Sequence, residues 1–270
     1  MKPAIHLMGI VNLTDDSFYA PSRVRSADAL LRRVEEMTGA GADCIELGAC
    51  STRPGSLPVG AEEEWRRLRP ALKALRRAFP GLALSIDTYW SGVVERAFDL
   101  IGPFTVNDIS AGALDPAMLP LAGRLGLPYI AMHMRGTPET MQSLTDYPEG
   151  ITAAVHHYFQ DFALRATEAG IRDWILDPGF GFSKTLEQNW TLLQEMGALR
   201  DLGRPILVGV SRKSMIYKRF GLTPETALEA TQVAHRIALS QGATWLRVHD
   251  IDPARATVAQ WLAEECYSST

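Results

Sequence analysis

The chain has 270 residues, 46% of them hydrophobic and 21% charged, with 22 Gly and 16 Pro; these proportions exclude a disordered, collagen-like or coiled-coil chain. A balance of 27 Lys and Arg against 31 Asp and Glu leaves a net charge of −4, so no bulk attraction to nucleic acid or to an anionic membrane is expected. Cys44, Cys50 and Cys266 form no CxxC pair and suit neither a disulfide framework nor a structural zinc site, which fits a reducing, cytoplasmic setting.

The opening apolar run, residues 4–11, is too short for a secretory signal and soon meets Asp15 and Asp16. No stretch approaches the 18 apolar residues of a membrane span. Residues 5–10 read as a first strand. After it, glycines recur where a helical pattern gives way to a short apolar run, at Gly41, Gly81, Gly102, Gly126, Gly170, Gly203 and Gly242, as left-handed helix caps do. The runs that follow them, 43–47, 82–86, 104–106, 128–132, 174–176, 205–208 and 245–248, suit buried parallel strands.

Helical periodicity fills the intervals. Trp65, Leu68, Leu72, Leu75 and Phe79 recur at three- and four-residue steps behind an acidic first turn of Glu62, Glu63 and Glu64. Pro70 is expected to kink or break that helix. Thr185 with Gln188 makes a capping box, and Thr223-Pro224 and Asp252-Pro253 each place an N-cap before a Pro. Eight strand–helix units in this length imply a (β/α)8 TIM barrel forming a single domain over residues 1–270. An open doubly wound sheet is the weaker alternative, because no dinucleotide fingerprint is present.

In such a barrel the chemistry stands at the C-terminal ends of the strands. Those ends deliver Asn12, Ser51-Thr52-Arg53, Asp87, Asn107-Asp108, His133, Asp177, Ser211-Arg212-Lys213 and Arg247-Val248-His249. Any one of these polar residues suits a helix cap, but eight in register make an active site. The cations Arg53, Arg212, Lys213, Arg247 and His249 imply an anion, with a short helix after strand seven where barrels hold phosphate. Arg247 and His249 flank Val248 and so point the same way. With Asn12 they suit a polyphosphate, whose bridging Mg2+ needs only one or two protein ligands. Residues 179–185 resemble a P-loop tail but lack its glycine positions. His156, His157 and His235 show no metal spacing and read as surface or packing residues, and Cys44 reads as core.

Taken together, the motifs Met8-Gly9-Ile10-Val11-Asn12, Ser51-Thr52-Arg53-Pro54-Gly55, Ser85-Ile86-Asp87-Thr88, Asn107-Asp108-Ile109-Ser110, Met132-His133-Met134, Asp177-Pro178-Gly179-Phe180-Gly181-Phe182, Ser211-Arg212-Lys213-Ser214 and Arg247-Val248-His249-Asp250 resemble the dihydropteroate synthase family, in order over nearly the whole chain. The resemblance implies a transferase of folate synthesis. It joins 6-hydroxymethyl-7,8-dihydropterin pyrophosphate to p-aminobenzoate, with Mg2+ as cofactor, in a cytoplasmic homodimer that sulfonamides target. It further implies that Asp177, Lys213, Arg247 and His249 are catalytic. Asp177, Asn107, Asp87 and Lys213 would hold the pterin. Phe182 would line the site, and Thr52, Arg53 and Ser211 would assist binding. Asn12, Arg247 and His249 would hold the diphosphate, with Asn12 toward the metal. Asp15, residues 19–22, Cys50 and Ser183 depart from the family pattern in loops. The alternative is a related pterin-binding methyltransferase domain using methyltetrahydrofolate, which needs no diphosphate site.

Overall fold

The computed structural model describes residues 4–13, 27–50 and 59–267. Eight parallel strands, β1 (His6–Asn12), β2 (Cys44–Gly48), β3 (Leu84–Asp87), β4 (Thr105–Asp108), β5 (Tyr129–Met132), β6 (Trp174–Asp177), β7 (Leu207–Val208) and β8 (Trp245–Val248), pair in the order β6-β5-β4-β3-β2-β1-β8-β7. Only a bridge between Leu176 and Ile206 joins the two ends of the sheet, where the Leu176 N–H donates to the Pro205 carbonyl at 3.0 Å. The result is the nearly closed barrel that the eight runs imply.

Helices α1 (Ala27–Gly39), α2 (Ala61–Ala78), α3 (Ser91–Ile101), α4 (Met118–Leu125), α5 (Ile151–Glu168), α6 (Leu186–Glu195), α7 (Ser214–Arg219), α8 (Leu228–Ser240) and α9 (Ile251–Tyr267) lie between or after the strands. Because strand side chains alternate, the strands supply two separate cores, all eight feeding the outer one and all but β3 and β4 the inner one. Leu7, Ile45, Ile86, Val106, Ala131, Leu176, Val208 and Leu246 join the large cluster beneath the helices. Met8, Cys44, Ile130, Ile175 and Leu207, with Trp245 against them, form a separate cluster inside the barrel. Cys44 is therefore core as expected, and burial pushes its thiol up to about 12.

Six of the seven cap glycines hold a positive φ, from 65° at Gly126 and Gly203 to 99° at Gly242; Gly81 does not. Thr185 and Gln188 form the expected capping box. Pro70 does not break its helix, since α2 continues through it for 18 residues with Leu68, Leu72 and Leu75 fully buried. Pro70 and Arg66 are both exposed, so water can satisfy the carbonyl that Pro70 leaves without a donor. Thr223 closes a local turn with Thr226, while α8 starts later, at Leu228. Asp252 lies inside the first turn of α9.

Candidate active site

The C-terminal rim of the barrel encloses a cavity of about 590 Å3. Asn12, Asp87, Asn107, Asp177, Phe182, Ser211, Lys213, Arg247 and His249 all line it. Thr52 and Arg53 fall within residues 51–58, outside the described residues, as do Asp15 and residues 19–22.

Its floor is the interior cluster: Met8, Ile130, Ile175, Leu207 and Trp245 each lie two residues before a cavity-lining residue, Ile10, Met132, Asp177, Gly209 and Arg247. Two residues is one full strand repeat, so each inward apolar residue is followed by an inward residue at the cavity. Asp177 is 5% exposed, and its Oδ1 accepts the Gly179 N–H at 2.8 Å. Burial raises the Asp177 carboxyl, and the Lys213 ammonium opposes that rise. Gly179 has φ +70°, and a Cβ there would come within 2.0 Å of the His133 carbonyl oxygen. Only glycine turns the chain that tightly beneath the acid.

Lys213 reaches inward from the start of α7, donates to the Phe180 carbonyl at 2.7 Å and lies 4.9 Å from the centre of the Phe182 ring. Burial lowers its ammonium to about 8, against the pull of Asp177. Arg247 pairs with Glu46 and, through Nη2 at 3.1 Å, with Asp87. Burial disfavours the guanidinium, but Glu46 and Asp87 outweigh it and raise its pKa. Asp87 is pushed up to about 7 by burial and then by Glu46, with Arg247 opposing.

His249 corrects the cationic set. Its Nδ1 lies 3.0 Å from the Ser211 hydroxyl, and its backbone N–H donates to the same oxygen at 3.2 Å. Burial and then the Arg247 charge lower it to about 3, so it stands as a neutral imidazole. Arg212 is the second correction. Its backbone takes φ +53°, and its guanidinium turns to Asp250 at 2.7 Å and to the carbonyls of Pro224 and Glu225. Its guanidinium is a buried clamp between loops, although Arg212 also lines the cavity beside Lys213.

Glu46 was not among the sequence-predicted residues. It is fully buried in β2, pairs with Arg247, accepts from Asn107 Nδ2 at 2.5 Å and lies 3.5 Å from the Ser85 hydroxyl. The available signal was an acid within an apolar strand, since a buried carboxylate requires partners. His133, at the end of β5, supports the loop after β6: Lys184 donates to its Nδ1 at 2.9 Å and to the carbonyls of Gly179 and Phe182. Ser183 takes φ +46°, and its hydroxyl accepts the Arg135 N–H at 3.1 Å. His156 meets Asp201 at the surface, His157 is largely exposed, and His235 is buried.

Among the described residues no cluster of three acids, histidines or cysteines is placed to hold a metal. Asn12 lines the cavity, and an amide oxygen there would be the chain's donor to such an ion. One neutral donor fits an ion that takes its remaining oxygens from water and a diphosphate, as Mg2+ does. Among the described residues no helix is long and apolar enough to cross a membrane.

Residues 8–249 match the model of the pterin binding enzyme family. Dihydropteroate synthase of Escherichia coli K12 is 38% identical over 248 residues, covering 91% of this chain and 86% of that protein. A folic acid synthesis protein of Pneumocystis carinii is 40% identical over 257 residues; the match spans 93% of this chain but 34% of that longer protein. Among solved structures, Yersinia pestis dihydropteroate synthase in a sulfonamide drug complex superposes with a TM-score of 0.91 at 34% identity, covering 98% of this chain and 95% of the other. The Thermus thermophilus enzyme in complex with 4-aminobenzoate gives 0.84 at 38% identity, covering 96% and 94%. The chain thus belongs to the pterin-binding enzyme family, within its dihydropteroate synthase branch.

Proposed function

We propose that this cavity makes 7,8-dihydropteroate from 6-hydroxymethyl-7,8-dihydropterin pyrophosphate and p-aminobenzoate, with the pterin on the barrel floor and the diphosphate at the mouth. The observation that carries this reading is a buried acid, Asp177, facing the same cavity as Lys213 and Arg247. A pterin edge offers a ring N–H and an exocyclic amine, which one carboxylate accepts together. Asp177 fills that role, Asn107 and Asp87 meet other ring atoms, and Lys213 donates to ring acceptors. Leaving such buried groups unpaired disfavours ligands that lack the matching edge.

The reaction is a dissociative substitution. The bond from the methylene carbon to the diphosphate oxygen breaks, and its electron pair leaves with pyrophosphate. Arg247 stabilises the growing negative charge, as a preorganised donor does. His249, neutral in the free cavity, donates one N–H. The cation left on the methylene delocalises into the pterin ring, between Asp177 and Asp87. The aniline nitrogen attacks, forms the C–N bond and releases its proton to solvent, so no strong base is required. Phe182 lines the path of the aminobenzoate ring, and Ser211 holds His249 in place. Asn12 would hold Mg2+, which would supply neutralisation of the diphosphate charge. Thr52 and Arg53 complete substrate binding from the second loop.

The chain is further read as a single-domain, cytoplasmic homodimer that depends on small-molecule substrates. The methyltransferase alternative is disfavoured by Arg247 and His249 together, because methyl transfer from a folate leaves no diphosphate for them to hold. Purified protein given Mg2+, the dihydropterin pyrophosphate and p-aminobenzoate should release pyrophosphate and dihydropteroate in equal amounts. Pterin binding without either product would overturn the reading.

A further inference from the structure

Glu46 is a fully buried acid in contact with two cavity-lining residues. Its Oε1 accepts from Arg247 and its Oε2 from the Asn107 amide nitrogen. Nothing else in the proposed chemistry uses it, and it lies too deep to be a substrate ligand. The carboxylate has acceptors only, so the atom that Asn107 turns toward it must be the NH2 group. The Asn107 carbonyl oxygen is thereby left for the cavity, which this residue lines. Rotating the amide by half a turn would set two oxygens against each other in a buried site, a strongly unfavourable contact.

We propose that Glu46 is a positioning residue that sets the polarity of the pterin pocket, locking Asn107 as an acceptor for a ring donor while it holds the Arg247 guanidinium in place. This rests on the reading of the cavity as a pterin site. The pocket thus recognises a heterocycle edge with a donor opposite Asn107 and rejects one with an acceptor there. The information lies behind the pocket wall, in a group that never touches the ligand.

Exchanging donor and acceptor tests this. In Glu46→Gln, the new amide oxygen keeps Arg247, and its NH2 faces Asn107, which must turn over and show its own NH2 to the cavity. In Asn107→Asp, two carboxylates meet. In the double variant E46Q/N107D, the introduced glutamine donates to the introduced aspartate, and an acceptor faces the cavity again. Binding of 6-hydroxymethyl-7,8-dihydropterin is measured by calorimetry, with thermal melting as the check on folding. Each single variant should lose at least about tenfold in affinity, the size expected for an unpaired buried polar group, and the double variant should return to within about threefold of the parent. A role in packing alone predicts losses that accumulate. A double variant as weak as Asn107→Asp, or singles that bind like the parent, would overturn the proposal. Should a single variant fail to fold, the double decides against the parent alone: tenfold weaker binding overturns the proposal, and near-parental binding supports it. Asp177→Asn separates the two readings, because pterin binding that survives it counts against the pocket assignment itself, whatever the exchange shows.

Discussion

Glu64, in the first turn of α2, is fully buried, and among the described residues neither of its carboxylate oxygens makes a well-formed hydrogen bond. Burial raises its carboxyl from an ordinary 4.5 to about 8; the nearby Thr88 side chain offsets only part of that, and the Asp87 charge adds to it. The folded chain therefore holds a proton that the unfolded chain releases above its ordinary pKa. Native protein binds more protons across this window, so the contribution of Glu64 to stability falls as pH rises from about 4.5 to about 8 and is flat beyond. Glu64→Gln removes the titration. It should melt several °C above the parent at pH 8 and close to it at pH 5. An equal offset at both values would show that Glu64 holds no extra proton. This residue and Glu46 also mark the limit of what could be read in the sequence. Single strand-end residues such as Asp177 and Arg247 were legible because the barrel assigns chemistry to those places. Glu46 was hidden by its neighbours, since a strand covered on both faces reads as an apolar run whichever side an acid takes. Arg212 and Lys213 were indistinguishable for a related reason: which of two adjacent cations faces inward depends on a left-handed backbone at Arg212.

At the scale of elements, Arg212 joins three segments. It holds the end of the β7 loop to Asp250 before α9 and to the carbonyls of Pro224 and Glu225 ahead of α8. Its side chain is 4% exposed, and that of Asp250 18%. Removing one partner strands the other charge in a poorly solvated site. Arg212→Ala should therefore cost about 3–5 kcal/mol in chemical denaturation, and the displaced loop should also weaken pterin binding through Lys213. Unchanged stability would reduce the clamp to a surface contact. All eight strands and most of their helix ends were legible, because the barrel repeats one pattern: a glycine in the left-handed region, then an apolar run. The exceptions have local causes. Gly81 follows a helix that ends at Phe79, whose N–H bonds back to Leu75, so no left-handed residue is needed. Pro70 is tolerated because it lies on the wet side of α2. Thr223 spends its hydroxyl on its own turn.

For the whole molecule, the seam between β6 and β7 is the weakest line of the wall, since β7 has two residues and meets β6 through one bridge. The proposed pterin site straddles it, with Asp177 on β6 and Lys213 beyond β7. Ligand should close the seam, and by linkage a hundredfold excess over its dissociation constant adds about 2.7 kcal/mol to stability. In hydrogen exchange, the Leu176 amide should gain protection on pterin binding beyond that of amides on β3. Equal gains on both strands would mean that the seam is no softer than the rest.

The apolar plug of Met8, Cys44, Ile130, Ile175, Leu207 and Trp245 has a consequence for traffic. A barrel sealed at one end is a cul-de-sac, in which whatever occupies the bottom must enter before its companion and cannot leave past it. If the bicyclic ring sits at the bottom and the aniline partner above, as proposed, addition is compulsory in that sequence. The joined product then has to back out whole through the same doorway, and the next cycle waits on its departure.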